Sequence, residues 1–509
     1  MGSNGQIAKN TAFLYVRMFI VLAVSLYTSR VVLHALDVVD YGINNVVAGF
    51  VSMFGFLEGT LSSGIQRFYN FVGTRRGAEG FKEVFSEGMV IQICVSAILI
   101  VLLETAGLWY VNHMMVIPPE RIRAANFLFQ FSTLSLLLVM IQVPFNGAII
   151  AREKMGYFAI VSIVEVLLKL GIALLIAHYN HDRLILYGGL LLGVSAITTM
   201  MMIVYCRLNF KDLRFKKTRN TDLIKEFLSF SGWSMLGTFA FMLKGQGLNM
   251  LLNLFFGPAI NAARGLTYQI SGAIFGFSSN ITMAYRPQLV NEYAAGRIEH
   301  SRALMFSESK ICFGLIALLS TPVIIEMDTL LHLWLGEAVP AYTGIFASLV
   351  LIDTLICTLN APCTQAVYAV GKIRRYQIWT TLLNLCLLPV CWFLLKSGYP
   401  PESVFIATII FSCILQTISL ILTKEVFPFE WKDYLNEVLL RCIAITILLP
   451  ALPFLIHLTS IAPLWRLLLV CVTTVVIALP LFCFLLLNSQ ERSSFFNLVK
   501  RFFHNTHPD

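Results

Sequence analysis

Fourteen apolar runs leave this chain few folds to choose from. They lie at about 10–35, 41–65, 83–107, 123–147, 156–178, 184–206, 226–254, 258–284, 306–326, 342–367, 377–395, 403–423, 438–457 and 466–487. A run of about 20 apolar residues is long enough to cross a bilayer as a helix. Backbone polar groups in hydrocarbon must bond within their own segment, so such runs are expected to be helical. The expected fold class is therefore an all-α polytopic membrane protein with about 14 transmembrane helices.

Composition agrees. Asp, Glu, Lys and Arg supply 13% of the 509 residues, where soluble domains average about 25%. Mean hydropathy is +0.77. A cytosolic enzyme, a secreted disulfide scaffold and a soluble nucleic-acid binder are all excluded on these grounds. The eleven cysteines fall in or beside apolar runs with no CxxC pair, so no zinc or redox site is expected. The N-terminus lacks the charged, apolar, small-residue order of a cleaved signal, and the first run reads as a helix that stays.

The net charge of +9 is distributed by topology. The N-terminus, the joins after even-numbered runs and the C-terminus hold 25 Lys and Arg, against 7 on the opposite side. The basic side is expected to be cytoplasmic, with both termini there.

A shift of 221 residues lays part of the chain on itself. Phe54-Gly55-Phe56 falls on Phe275-Gly276-Phe277, Asn70 on Asn291, Arg76 on Arg297, and Phe85-Ser86-Glu87 on Phe306-Ser307-Glu308. The second copy starts after an even number of crossings, so both copies should share one orientation. The expected organisation is two pseudo-symmetric six-helix lobes plus two C-terminal helices. The boundaries are 1–206 for an N-lobe, 207–225 for a basic cytoplasmic linker and 226–424 for a C-lobe. Helices thirteen and fourteen then occupy 438–487 and a cytoplasmic tail 488–509. Parallel lobes that rock around a central cavity are a common route to alternating access.

The joins carry no GxxxxGK[ST], HExxH or GxSxG, so neither ATP hydrolysis nor any other enzyme activity is expected. His34, His113, His178, His181, His332 and His457 scatter near the outer ends of runs, which favours interfacial packing over a tuned pH sensor.

Ionisable residues inside a membrane are costly and by default face a cavity or a partner. Lys310 and Arg441, close to cytoplasmic ends, are expected to snorkel out. At 100° per residue the remaining polar residues form stripes. Asn10, Arg17 and Thr28 share a face in the first run; Asn44, Ala48, Gly55, Glu58 and Ser62 in the second; and Ser162, Glu165, Lys169 and Ala173 in the fifth. Asn261, Arg264, Tyr268 and Ser271 do so in the eighth, Asp353, Cys357, Asn360 and Thr364 in the tenth, and Gln377, Thr381 and Asn384 in the eleventh. Such stripes describe either a wet interior or polar glue between helices. Glu165 and Lys169 have the spacing and order of a neutralising pair. Lys244 has no acid three or four residues away and sits in Leu243-Lys244-Gly245-Gln246-Gly247, where the glycines loosen the helix or admit a neighbour. Asp353 has no basic residue near it on its own helix. It is a candidate for binding a coupling H⁺ or Na⁺, as are Asn360, Glu165 and Lys169.

Two motifs bring a family into view. Thr28-Ser29-Arg30-Val31-Val32-Leu33, with Leu36 and Asp40-Tyr41-Gly42-Ile43, resembles the first- and second-helix signature of polysaccharide flippases. Gly257-Pro258-Ala259-Ile260-Asn261-Ala262-Ala263-Arg264-Gly265-Leu266 resembles the start of their eighth helix. These are the Wzx-type flippases of the multidrug/oligosaccharidyl-lipid/polysaccharide exporter (MOP) superfamily. Asp37 departs from the pattern, which has Gly there.

The resemblance implies secondary-active flipping of undecaprenyl-pyrophosphate-linked oligosaccharide repeat units between leaflets of the bacterial inner membrane. It further implies a role in O-antigen, lipopolysaccharide or other surface polysaccharide biosynthesis, beside a polymerase and chain-length machinery. Arg17, Arg30, Lys244 and Arg264 are then the expected cavity cations for an anionic head group, with Asn44, Glu58, Asn261, Tyr268 and Ser271 as polar lining. No cofactor or metal is expected beyond a coupling ion. The alternatives are a multidrug cation antiporter or lipid II flippase of the same superfamily, and, from another class, a membrane polysaccharide polymerase or ligase.

Overall fold

A computed structural model of the chain describes residues 3–152, 154–210, 213, 215, 221–488 and 492. Every expected run is helical. The helices are α1 (Ser3–Ser52), α2 (Gly55–Leu102), α3 (Leu108–His113), α4 (Ile122–Ala151), α5 (Met155–Ala177) and α6 (Arg183–Asn209). They continue with α7 (Thr221–Phe256), α8 (Pro258–Ala294), α9 (Ile298–Ile325), α10 (Met327–Leu335), α11 (Thr343–Thr358) and α12 (Asn360–Val370). The last are α13 (Ile373–Lys396), α14 (Glu402–Val426), α15 (Trp431–Tyr434), α16 (Leu440–Leu448), α17 (Ala451–His457) and α18 (Pro463–Leu481). No strand occurs among the described residues.

Eleven helical segments among the described residues are long and apolar enough to cross a membrane. The first two runs separate at Asp37, whose non-helical backbone (φ 69°, ψ 164°) divides the segment α1 into two helices. The third run likewise separates from the second at Gly77 (φ 57°, ψ −139°), where the backbone of the segment α2 leaves helical geometry. The seventh and eighth runs are the 36- and 37-residue helices α7 and α8. Large apolar side chains face outward along these helices, such as Ile98 at 66% exposure and Phe393 at 66%. In water that would be ruinous; in lipid it is the expected outer surface. The chain is a multi-pass all-α membrane protein.

Contacts divide it into two compact units. One comprises Met1–Leu266 with Cys391–Lys396, the other Thr267–Val390 with Ser397–Asp509. In the first, α1 packs on α5, α4 on α2 and α6, and α7 on α1 and α2. In the second, α14 packs on α11 and α12, and α9 on α11, α16 and α18. The second unit's apolar core holds Phe306 and Phe313 of α9 together with Phe427, Phe429, Tyr434, Val438 and Ile445. Phe306 meets both Phe429 and Tyr434 edge-on.

One expectation is corrected here. Lys310 does not snorkel: it is fully buried in α9, beside Cys442 of α16. The apolar run understated the helix, which begins at Ile298 rather than near 306, so Lys310 lies three turns in rather than one. Arg441 is half-buried and held by the Leu486 carbonyl and the Asn488 side chain.

Candidate substrate-handling site

The two family-like motifs meet in the first unit. Gly42 of α1 lies against the backbone of Pro258, the first residue of α8. Gly265, two turns further along α8, lies against the Asn45 side chain. Glycines at 42 and 265 remove the Cβ atoms that would hold the helices apart, as small residues do at membrane helix interfaces.

Between these contacts runs a chain of amides. Asn261 Nδ2 donates to Asn249 O at 2.7 Å and to Asn249 Oδ1 at 2.8 Å. Asn249 Nδ2 donates to Asn45 O at 3.2 Å. Asn253, one turn along α7, takes the Val116 N–H at 2.9 Å and donates to the Val116 carbonyl at 3.3 Å. Asn249, Asn253 and Asn261 are buried. Val116 lies outside the helices, so an apolar residue at 253 would take these bonds from its N–H and carbonyl, and the three amides together tie α1, α7 and α8.

Arg264 lies one turn beyond Asn261. It is 6% exposed, and its Nη2 donates to Gly245 O at 2.7 Å. That bond ties the guanidinium to the residue next to Lys244. Lys244 is half-buried and within electrostatic reach of Cys391. Two expected cations thus come together at one level of α7 and α8. α7 is continuous through Gly245 and Gly247, and a Cβ at Gly245 would meet open space, so that glycine neither breaks the helix nor admits a close neighbour.

Arg30 is elsewhere. With Tyr27, His34 and Arg183 it lines a pocket of about 470 Å³ beside the part of α1 that precedes Asp37. Arg183 is held there by the carbonyls of Tyr179 and Ala35. The Arg17 side chain lies outside the described residues. Asn44 is half-buried, and its Oδ1 has no hydrogen-bond partner among the described residues. Glu165 and Lys169 form their ion pair at 2.6 Å, and half-buried Glu58 lies within reach of Glu165.

In the second unit the polar residues separate into small groups. Ser271 bonds Thr354 across α8 and α11 at 3.0 Å, and Tyr268 is 41% exposed. Asn360 donates to Ser419 at 2.7 Å and accepts from Thr364 and Tyr376, a network joining α12, α13 and α14. Asp353 is half-buried on α11; its Oδ2 lies 3.9 Å from Cys357 Sγ. No cluster of metal-binding side chains occurs among the described residues.

Three charged groups escaped the sequence reading. Arg121 bridges Asp40 at 2.6 Å and Asp182 at 3.0 Å. Arg466 of α18 grips Glu326 through two bonds, at 2.7 and 3.0 Å, with His457 on the same carboxylate at 2.8 Å. Glu308 is fully buried in α9. The first two join segments far apart in sequence and leave no local trace. Glu308 did leave one, the repeated Phe-Ser-Glu triplet.

No family model and no curated protein matches this chain. Solved structures do. The lipid II flippase MurJ, in an inward closed conformation, is similar over 93% of this chain and 98% of its own, at 13% identity and a TM-score of 0.72. The MATE multidrug transporter DinF-BH is similar over 84% of this chain and 98% of its own, at 16% identity and a TM-score of 0.62. A MOP superfamily transporter from Pyrococcus furiosus is similar over 82% of this chain and 95% of its own, at 13% identity and a TM-score of 0.57. The chain has the fold of the MurJ and MATE transporters.

Proposed function

We propose that this protein is a flippase for lipid-linked oligosaccharides, of the Wzx type suggested by its helix-one and helix-eight motifs. It moves undecaprenyl-pyrophosphate-linked repeat units from the inner to the outer leaflet of the bacterial inner membrane, for O-antigen or another surface polysaccharide. Both termini are cytoplasmic. A polysaccharide polymerase and chain-length machinery are its partners downstream, and flipping is driven by an ion gradient.

The observation that carries the reading is the similarity to MurJ across 93% of this chain, whose name makes it a flippase of a lipid-linked cargo. The MATE transporter DinF-BH is similar over 84%. The greater reach fits the C-terminal helices α15–α18, which a lipid-linked cargo can use as a groove for its tail. The cationic level formed by Lys244 and Arg264 suits a pyrophosphate, which must exchange its water and counterions for fixed charge.

The same similarity favours a second reading, a lipid II flippase. Complementation separates the two. Expression in a strain lacking its polysaccharide flippase should restore surface polysaccharide, and expression in cells depleted of MurJ should not rescue growth. Rescue of growth alone would establish the second reading. Drug resistance without either effect would point to multidrug export.

A further inference from the structure

The second unit holds an acid with half of its carboxylate unanswered. Glu308 lies ten residues into α9, roughly 15 Å from the start of the helix at 1.5 Å per residue, and is 0% exposed. Gln365 of α12, itself 5% exposed, donates from Nε2 to Glu308 Oε1 at 3.0 Å and to the Thr282 carbonyl of α8 at 3.3 Å. The Thr282 carbonyl fixes the amide orientation, because only an NH₂ group can sit between two acceptors. Gln365 Oε1 and Glu308 Oε2 then remain, both buried, and neither has a hydrogen-bond donor among the described residues. Two acceptors and no donor is an unstable arrangement for an ionised acid away from water.

Among the described residues no charged side chain acts on Glu308. The side chains acting on Glu308 are Thr282 and Gln365, both neutral. The titratable groups around it are Cys312 on its own helix and Cys363 on α12. Tyr285 of α8 bonds Ser307, the residue before it, and Arg286 beside Tyr285 is exposed. Lys310, two residues on, lies beside Cys442 of α16.

We propose that Glu308 is a proton-binding site, neutral while α8, α9 and α12 pack as they do here, with Gln365 and Thr282 as its cradle. One proton on Oε2 removes the charge from the carboxylate oxygen that no donor answers. Release of that proton requires water or a cation to reach a side chain that now has no exposure, so α9 must part from α8 or α12. Protonation and conformation are thereby linked: the packed state binds the proton and an opened state releases it. The position is also the one that the internal repeat pairs with Glu87, buried at 3% in the first unit. Rearrangement of α9 as a step of transport rests on the flippase reading; the proton site does not.

The test uses the full-length protein in lipid nanodiscs and infrared difference spectra across a pH series, in potassium and in sodium. The wild type should show the carbonyl band of a buried protonated carboxyl, and Glu308→Gln should lack it. Gln365→Leu, which keeps the acid and removes its donor, should move the midpoint of that band by at least a few tenths of a pH unit, an equilibrium change of about twofold or more. A band indifferent to both substitutions overturns the proposal. So does a band that sodium abolishes at fixed pH, since the site would then belong to a metal cation. In a second arm, Glu308→Gln should abolish polysaccharide export driven by a pH gradient. If the wild type exports nothing while the spectra behave as stated, the flippase reading fails and the proton site stands.

Discussion

Gly42 on α1 rests against the carbonyl of Pro258 at the start of α8, so closely that a Cβ at position 42 would run into the carbonyl oxygen. The neighbour is backbone at a helix start, so it has little room to give way. Gly42→Ala should therefore destabilise the protein by about 1–3 kcal/mol or more, the usual cost of overpacking. Gly59→Ala is the control, because a Cβ there meets nothing. Thermal unfolding of the solubilised protein reads both. Equal melting of the two variants would show that α1 and α8 are not in close contact at Gly42.

Asp37 adopts φ 69° and ψ 164°, a region essentially reserved for glycine, and its Oδ1 accepts the Val38 N–H at 2.8 Å. The position where the resembled sequence pattern has Gly thus takes a glycine-like conformation with Asp. Strain of this kind costs about 1–3 kcal/mol. Asp37→Gly should raise the melting temperature, with a net gain of about 1 kcal/mol after the entropy cost of glycine. A lower melting temperature would mean that the Asp37 side-chain bond outweighs the strain.

Lys244 should act through its charge. Lys244→Arg should keep part of polysaccharide export, and Lys244→Ala or Lys244→Glu should abolish it at normal membrane levels. Lys244→Met keeps the bulk and drops the charge. Full export by a well-expressed Lys244→Met variant would falsify head-group binding by this residue and leave it a packing role.

Glu326 lies between membrane spans and should make stability pH-dependent. Burial pushes its carboxyl upward, but hydrogen bonds from Arg466, His457 and Thr329, with the Arg466 charge, outweigh burial and hold it below the usual range. A depressed acid contributes stability that is complete above its unfolded value, about 4.3, and disappears as pH falls through the folded value. The melting temperature should therefore drop below about pH 4.3, and less so in Glu326→Gln. Arg466→Leu strands a buried carboxylate and should cost about 3–5 kcal/mol at neutral pH. A pH profile unchanged in Glu326→Gln would remove this carboxylate from the account.

The charge bias predicts topology. In a cysteine-free background, Glu337→Cys should react with a membrane-impermeant maleimide in intact cells and Arg374→Cys should not. Position 337 is the neighbour of Gly336, which closes α10 at φ 67° and is better left as glycine. Lys216 and Lys217, also expected inside, lie outside the described residues. The reverse labelling pattern would invert the protein.

Hydrophobic run length and charge bias are one-dimensional quantities. The helical class and the apolar segments were therefore legible in the sequence: a backbone in lipid has no alternative to internal bonding. The Glu165–Lys169 pair was legible for the same reason, since both partners sit on one helix. What depends on packing between helices was not. Helical angles put Asn261 and Arg264 on one stripe, but only the fold shows Asn261 held by Asn249 and Arg264 tied to Gly245. Depth misled at Lys310, because a hydropathy run ends where polar residues begin while a helix continues through them. Arg121 and Arg466 drew no attention because their partners lie 61 to 140 residues away, and Glu308 was legible only as part of the repeated triplet, its bond to Gln365 being a contact between helices. Whether a charge in such a chain faces lipid, a neighbour or another charge is decided by the three-dimensional contacts that surround it, and a linear pattern carries only half of each contact.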